Sequence, residues 1–229
     1  MAHDARGVLR IYASSYRPER LTAELGARWM LEHLRIKPYS CCGAMHAAID
    51  GLRKITAEHD LDANSIASVE VGYPKQTCEH VAIPVPHDVL GMQFSTAFTL
   101  ALTMLKGRNT PREYTLDALA DPVVRDFASR VSIREDAELN AVKGKYPARV
   151  VLRTRSGARH EALVLDPKGS PVTPLSATEI DEKFQHQAAP ALGAERCGKL
   201  LRALRGIDAL DDMGKLLPLL VHEKGTGLS

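Results

Sequence analysis

Cysteine pairs of the CxxC kind are missing from this sequence. The four cysteines, Cys41, Cys42, Cys78 and Cys197, have no spacing that would hold a zinc ribbon or a thioredoxin-type redox site. Adjacent Cys41 and Cys42 read as small core residues of a reducing compartment. Excess charge of one sign is missing too: 30 Lys and Arg stand against 28 Asp and Glu, mixed along the chain, which leaves no basic stripe for nucleic acid. The longest apolar stretches, such as residues 97–105, fall well short of the roughly 20 residues of a membrane span. The start, MAHDARGVLR, lacks the apolar core of a signal peptide, so the expectation is a soluble, cytoplasmic chain. The 13 Pro and 16 Gly follow no period, which excludes collagen-like and low-complexity readings. GxGxxG after a strand, GxxxxGKS/T, GxSxG, HExxH and the EF-hand loop are all absent, so nucleotide, serine-hydrolase and zincin readings lose their main support. The 9 histidines show no HxH or HxxxH pair with a carboxylate partner, and no metal is expected.

What is present is ordinary globular material. At 229 residues, 45% hydrophobic and 25% charged, the chain can build one large domain or two small ones. Leu25, Trp29, Met30 and His33 recur at helical spacing and predict a helix over 22–34, capped by Thr22 and ended by Lys37-Pro38. A helix over 42–58 carries Met45, Ile49, Leu52 and Ile55 on one face, with His46 on or beside that stripe. Residues 66–73 alternate as a half-buried strand, and the proline-punctuated VAIPVPHD that follows interrupts regular structure. A helix over 95–106 is apolar nearly all round and closes at Gly107. Shorter helices are predicted at 116–120 and 121–130, the latter with Asp121 as cap and Pro122 at its first position. Strands follow at 131–136 and in a hairpin around Ser156-Gly157. Ser176 with Glu179 forms a capping box, and helices are expected at 176–188, 192–204 and 207–220.

Chemistry concentrates in KPYSCCGAMH, residues 37–46, where a cation, a phenol, two thiols and an imidazole lie close together at a helix start. A lysine held there feels the positive helix terminus and partial desolvation. Both favour its neutral form and make Lys37 a candidate acid, base or carboxylate clamp. The bland alternatives are a solvated surface lysine and a satisfied core histidine.

The same run, Lys37-Pro38-Tyr39-Ser40-Cys41-Cys42 followed by His46-Ala47-Ala48-Ile49-Asp50, resembles the KPYPxC…HxxIDA segment of the MmgE/PrpD family. That family includes 2-methylcitrate dehydratase, cis-aconitate decarboxylase and iminodisuccinate epimerase. Leu25-Gly26 with Trp29, the strand 66–71, Gln93-Phe94-Ser95, Asp121-Pro122 with Val131, residues 143–151, and Pro174-Leu175-Ser176 with Lys183-Phe184 are similar to further family stretches, in order. The resemblance implies an α+β fold: a two-layer α/β lid domain flanked by helices of an all-helical domain largely missing from this chain. It divides the chain into a helical remnant at 1–36, the lid at 37–175 and returning helices at 176–229.

It also implies a metal-independent, cofactor-free lyase or isomerase acting on a small di- or tricarboxylate in an interdomain cleft. Lys37 and His46 match active-site positions and are the catalytic candidates. Tyr39, Ser95 and Phe98 are the substrate-binding candidates, and Phe98 stands where the family carries a tyrosine, so that hydroxyl is missing. The implied partners are a second copy or a separately encoded helical domain, as for a truncated or split gene product. A catalytically inactive fragment serving as a dimerisation or interaction module is the competing reading, and an unrelated α+β ligand-binding domain the third.

Overall fold

The computed structural model describes residues 8–221, which fall into two units, Met1–Leu34 and Arg35–Ser229. The first unit holds helix α1 (Val8–Tyr12) and 3-10 turns at Pro18–Leu21 and Met30–His33. The helix expected over 22–34 does not form. Glu24 and Gly26 take left-handed backbone angles, with φ of 58° and 82°, and Leu25, Trp29, Met30, Leu31 and Leu34 are all exposed. A short amphipathic helix depends on tertiary burial of its apolar face, and within this unit no buried apolar face forms among the described residues.

In the second unit, α2 (His46–Glu58) follows a 3-10 turn at Gly43–Met45, and the strand β1 (Ile66–Tyr73) comes next. Two short helices flank the proline-punctuated stretch, whose residues 83–88 are irregular as expected: α3 (Lys75–Val81), entered through Pro74, and α4 (Val89–Met92), capped by Asp88. The buried helix α5 (Thr96–Lys106) is capped by Ser95 and ends at Gly107. Helix α6 (Leu116–Ala120) and α7 (Pro122–Ser129), capped by Asp121, lead into β2 (Val131–Glu135). The hairpin of β3 (Ala148–Thr154) and β4 (Arg159–Val164) closes the sheet, whose order is β2-β1-β3-β4.

β1 and β2 are parallel, so the chain must cross over between them, and the segment carrying α3 to α7 makes that crossing. The other two pairings are antiparallel. Register sorts the two faces. Val69 and Val71 of β1 pair with Leu152 and Val150 of β3 on the buried face, which α2 covers, while Gly72 pairs with Arg149 on the other. There Arg149 reaches Asp136 at 2.7 Å, Glu138 at 2.7 Å and Glu161 at 2.8 Å, which ties the end of β2 to the hairpin.

Ser176 caps α8 (Ala177–Leu192) through the expected capping box, and α9 (Ala194–Arg205) follows after Gly193. The single helix expected over 207–220 is instead two 3-10 turns, Ile207–Ala209 and Met213–Leu216, and the short α10 (Leu217–Leu220). Asp212 accepts from the Gly214 N–H at 2.8 Å and restarts the chain there, and Pro218 supplies no amide hydrogen to a longer ladder. Among the described residues, no helix is long and apolar enough to cross a membrane.

Helix and sheet meet most closely at Gly51, where an added Cβ would lie 2.8 Å from Val150 Cγ2. Gly51→Val is expected to lower unfolding stability by about 1–3 kcal/mol in chemical denaturation, through overpacking against β3. Unchanged stability would show that α2 can lift off the sheet at no cost.

Candidate active site

A cavity of about 380 Å3 opens where the segment Arg35–Ile36–Lys37 passes the start of α2, the helix α3 and the loop after β4. Lys37, His46, His80, Lys168 and Ser170 border it, with Arg35 at its edge. The segment is held by close backbone contact: the Ile36 N–H donates to the Gly169 carbonyl at 3.0 Å. Gly169 has φ of 83°, and a Cβ there would stand 2.0 Å from the Ile36 oxygen, so only glycine lets the two strands of chain approach. Arg35 lies over the Tyr146 ring at 5.4 Å and donates to the Gly144 carbonyl at 2.9 Å.

Asp50, on α2, organises the floor. One carboxylate oxygen accepts from the Tyr39 hydroxyl at 2.5 Å, and the other from the Lys168 backbone N–H at 2.7 Å. Burial first, and the Asp50 charge second, push the Tyr39 phenol far above its ordinary range, so it serves as a donor throughout the accessible pH range. The Tyr39 ring meets His46 edge-on, with centroids 5.1 Å apart.

His46 is 4% exposed, and its Nε2 has no hydrogen-bond partner. Burial, then the nearby Lys37 ammonium, push its pKa down to about 4. The Cys41 and Tyr39 carbonyls pull the other way. Because Nε2 is unpaired, those carbonyls address Nδ1, which places the N–H there and leaves a lone pair on Nε2. The ring is thus a neutral, desolvated acceptor, an unusual state for a group beside a cavity.

Lys37 is solvent-exposed and donates to the Cys41 carbonyl at 3.2 Å. The desolvated helix-start position expected for it is not observed, because a turn and the 3-10 segment intervene before α2. Cys41 is buried and its thiol is pushed up to about 12, chiefly by that burial, so it is inert packing.

Lys37 and His46 therefore meet at one cavity, and Tyr39 lies just behind, against His46. Ser95 and Phe98 do not reach it. The Ser95 hydroxyl donates to the Ile83 carbonyl at 2.7 Å and caps α5, while Phe98 packs in the core at 5% exposure. The same segment approaches Lys37 through Gln93 and Phe94, which line a smaller cavity of about 290 Å3 on the other side of the lysine. Sequence reasoning missed Arg35, His80 and Lys168. For His80 the signal was available: Thr77 and Val81 at helical spacing after Pro74 mark the helix α3 that carries it. Among the described residues no group of three or more His, Cys, Asp or Glu converges as a metal site.

A neutral His46 has a signature. Its folded pKa lies below the ordinary value near 6.5, so the unfolded chain binds the extra proton first. Its contribution to stability is complete above about pH 6.5 and is lost as pH falls toward 4, with no further loss from this group below. Proton NMR titration should find the His46 ring titrating near pH 4, and Lys37→Met should move that midpoint upward. A midpoint near 6.5 in the native protein would contradict the burial.

Residues 39–205 match the MmgE/PrpD C-terminal domain. The cis-aconitate decarboxylase-like protein oryM of Aspergillus oryzae is 24% identical over 216 residues, 91% of this chain and 45% of that one. A cis-aconitate decarboxylase of Aspergillus terreus is 25% identical over 216 residues, 90% of this chain and 44% of that protein. The chain thus spans under half the length of these relatives. It is a member of the MmgE/PrpD family: the sheet, the helix α2 that covers it and His46 lie within the residues that match the family's C-terminal domain, and Lys37 lies just before them.

Proposed function

We propose that the cavity at Lys37 and His46 is the lid-side half of a metal-independent acid/base site for a small di- or tricarboxylate, of the kind decarboxylated by the relatives that are cis-aconitate decarboxylases. The observation that carries this reading is the pairing, at one cavity, of a solvent-accessible ammonium with a buried imidazole whose Nε2 lone pair is unclaimed. Arg35 and Lys168 add positive charge at the rim, which suits a substrate with several carboxylates.

Decarboxylation moves the electrons of a carbon–carboxylate bond into an adjacent unsaturated system, releases CO2 and requires a proton on carbon. The Lys37 ammonium supplies charge neutralisation and that proton, and water restores it afterwards. The neutral His46 accepts a hydrogen bond from a substrate hydroxyl or protonated carboxyl, or takes a proton alpha to a carboxylate in a dehydration or epimerisation. Completion of the site by a helical domain belongs to this proposal because the relatives are more than twice as long.

A second reading, an interaction module without catalysis of its own, has one specific observation behind it: Leu25, Trp29, Met30, Leu31, Met213, Leu217 and Leu220 leave large apolar side chains exposed.

Calorimetric titration with cis-aconitate separates the two. The catalytic reading expects saturable binding that weakens at least tenfold in Lys37→Ala, with CO2 release falling in parallel wherever turnover is measurable. No binding, or equal binding by Lys37→Ala, would leave the interaction module.

A further inference from the structure

A second cavity, of about 250 Å3, lies on the other side of Pro38 and Tyr39 from the first. Four segments far apart in sequence converge on it: α2 through Arg53, the turn after α5 through Arg108, the loop after β4 through Lys168, and α8 through Lys183. These four cations face two carboxylates, Glu179 and Glu182. The carboxylates do not neutralise the cavity. Glu179 accepts from the Ser176 N–H at 2.7 Å and pairs with Lys168 at 3.0 Å, so its charge is already engaged. Arg53 is held over the Tyr39 ring at 5.2 Å and donates to the Gly107 carbonyl at 3.2 Å, which fixes its position without a counter-charge.

The Arg108 guanidinium and Lys183 ammonium make no hydrogen bond or ion pair with another described residue. Concave surface, fixed cations and unpaired donors are the features of an anion site, and a guanidinium with an ammonium matches oxygens spread over two or more anionic groups.

We infer that this second cavity binds a small anion bearing several negatively charged oxygens, a polycarboxylate or a polyphosphate, at a site separate from Lys37 and His46 and resting on Arg108 and Lys183. The two cavities share Lys168 on their rims, and Tyr39 separates them, its ring against His46 and its flank on the second cavity. An anion here competes with Glu179 for Lys168 and so acts on the wall of the first cavity. The site is an effector site by position.

The test is calorimetry on the full chain with citrate and, separately, pyrophosphate. One saturable site for either probe is expected to persist in Lys37→Ala, weaken at least tenfold in the Arg108→Ala/Lys183→Ala double variant, and stay unchanged in Arg125→Ala, an exposed cation on α7. The probe that binds distinguishes a carboxylate source from a phosphate source. Glu182→Gln, which removes the unengaged carboxylate, should tighten binding about threefold or more, a gain that misfolding cannot imitate. Equal affinity in the double variant, equal loss in Arg125→Ala, or no binding of either probe would overturn the inference. Binding lost only in Lys37→Ala would place the anion in the first cavity, again overturning it while leaving the proposed function intact.

Discussion

One carboxylate holds the site in shape. Asp50 has two oxygens and uses both across the fold, one for the Tyr39 hydroxyl and one for the Lys168 amide, so that α2, the segment entering it and the loop after β4 share a single anchor. A charged acceptor of two such bonds is among the stronger local contacts a protein makes, and loss of one partner strands a group that costs about 1–3 kcal/mol to leave unpaired. Tyr39, fixed this way, presses its edge on His46 and shields it from water. The Ile36–Gly169 backbone bond then holds the segment that carries Lys37 to the cavity the same histidine lines. The placement of Lys37 and His46 at one cavity thus depends on Asp50, which does not line it.

The electrostatics follow from that arrangement. His46 is kept neutral by two effects that act together, exclusion from water and a neighbouring ammonium, and neither requires a metal or a buried counter-ion. Lys37 keeps its exposure because its hydrogen bond is to a backbone carbonyl at the cavity mouth. In the proposed function, a neutral imidazole beside an ammonium divides the base and acid roles that proton transfer near a carboxylate needs. The second cavity, beyond Tyr39, places further positive charge behind the same wall, with Lys168 common to both.

Much of this was readable in the chain. Strand β1, helix α5 with its Ser95 cap, the Asp121 cap and the Ser176–Glu179 capping box are local patterns whose physics is local, and the structure reproduces them. The elements that depend on distant partners were not readable. The 22–34 pattern has the period of a helix, yet its apolar side chains stay exposed and the segment is a series of turns. Lys37 and His46 share one motif and so could be named together. His80 and Lys168 join them only through a crossover and a loop contact, which no local spacing records, while Arg35 stands two residues before Lys37 in the same segment. Ser95 and Phe98 illustrate the reverse: motif residues whose side chains are spent on a cap and on the core.

The central claim is that a carboxylate ligand meets Lys37 and His46 and not the α5 motif. Chemical-shift mapping of the labelled chain during titration with cis-aconitate tests it directly. The account predicts progressive, saturable shifts of the His46 ring protons and the Lys37 side chain, with Ser95 and Phe98 unmoved. Shifts centred on Ser95 and Phe98, with His46 silent at saturating ligand, would contradict it.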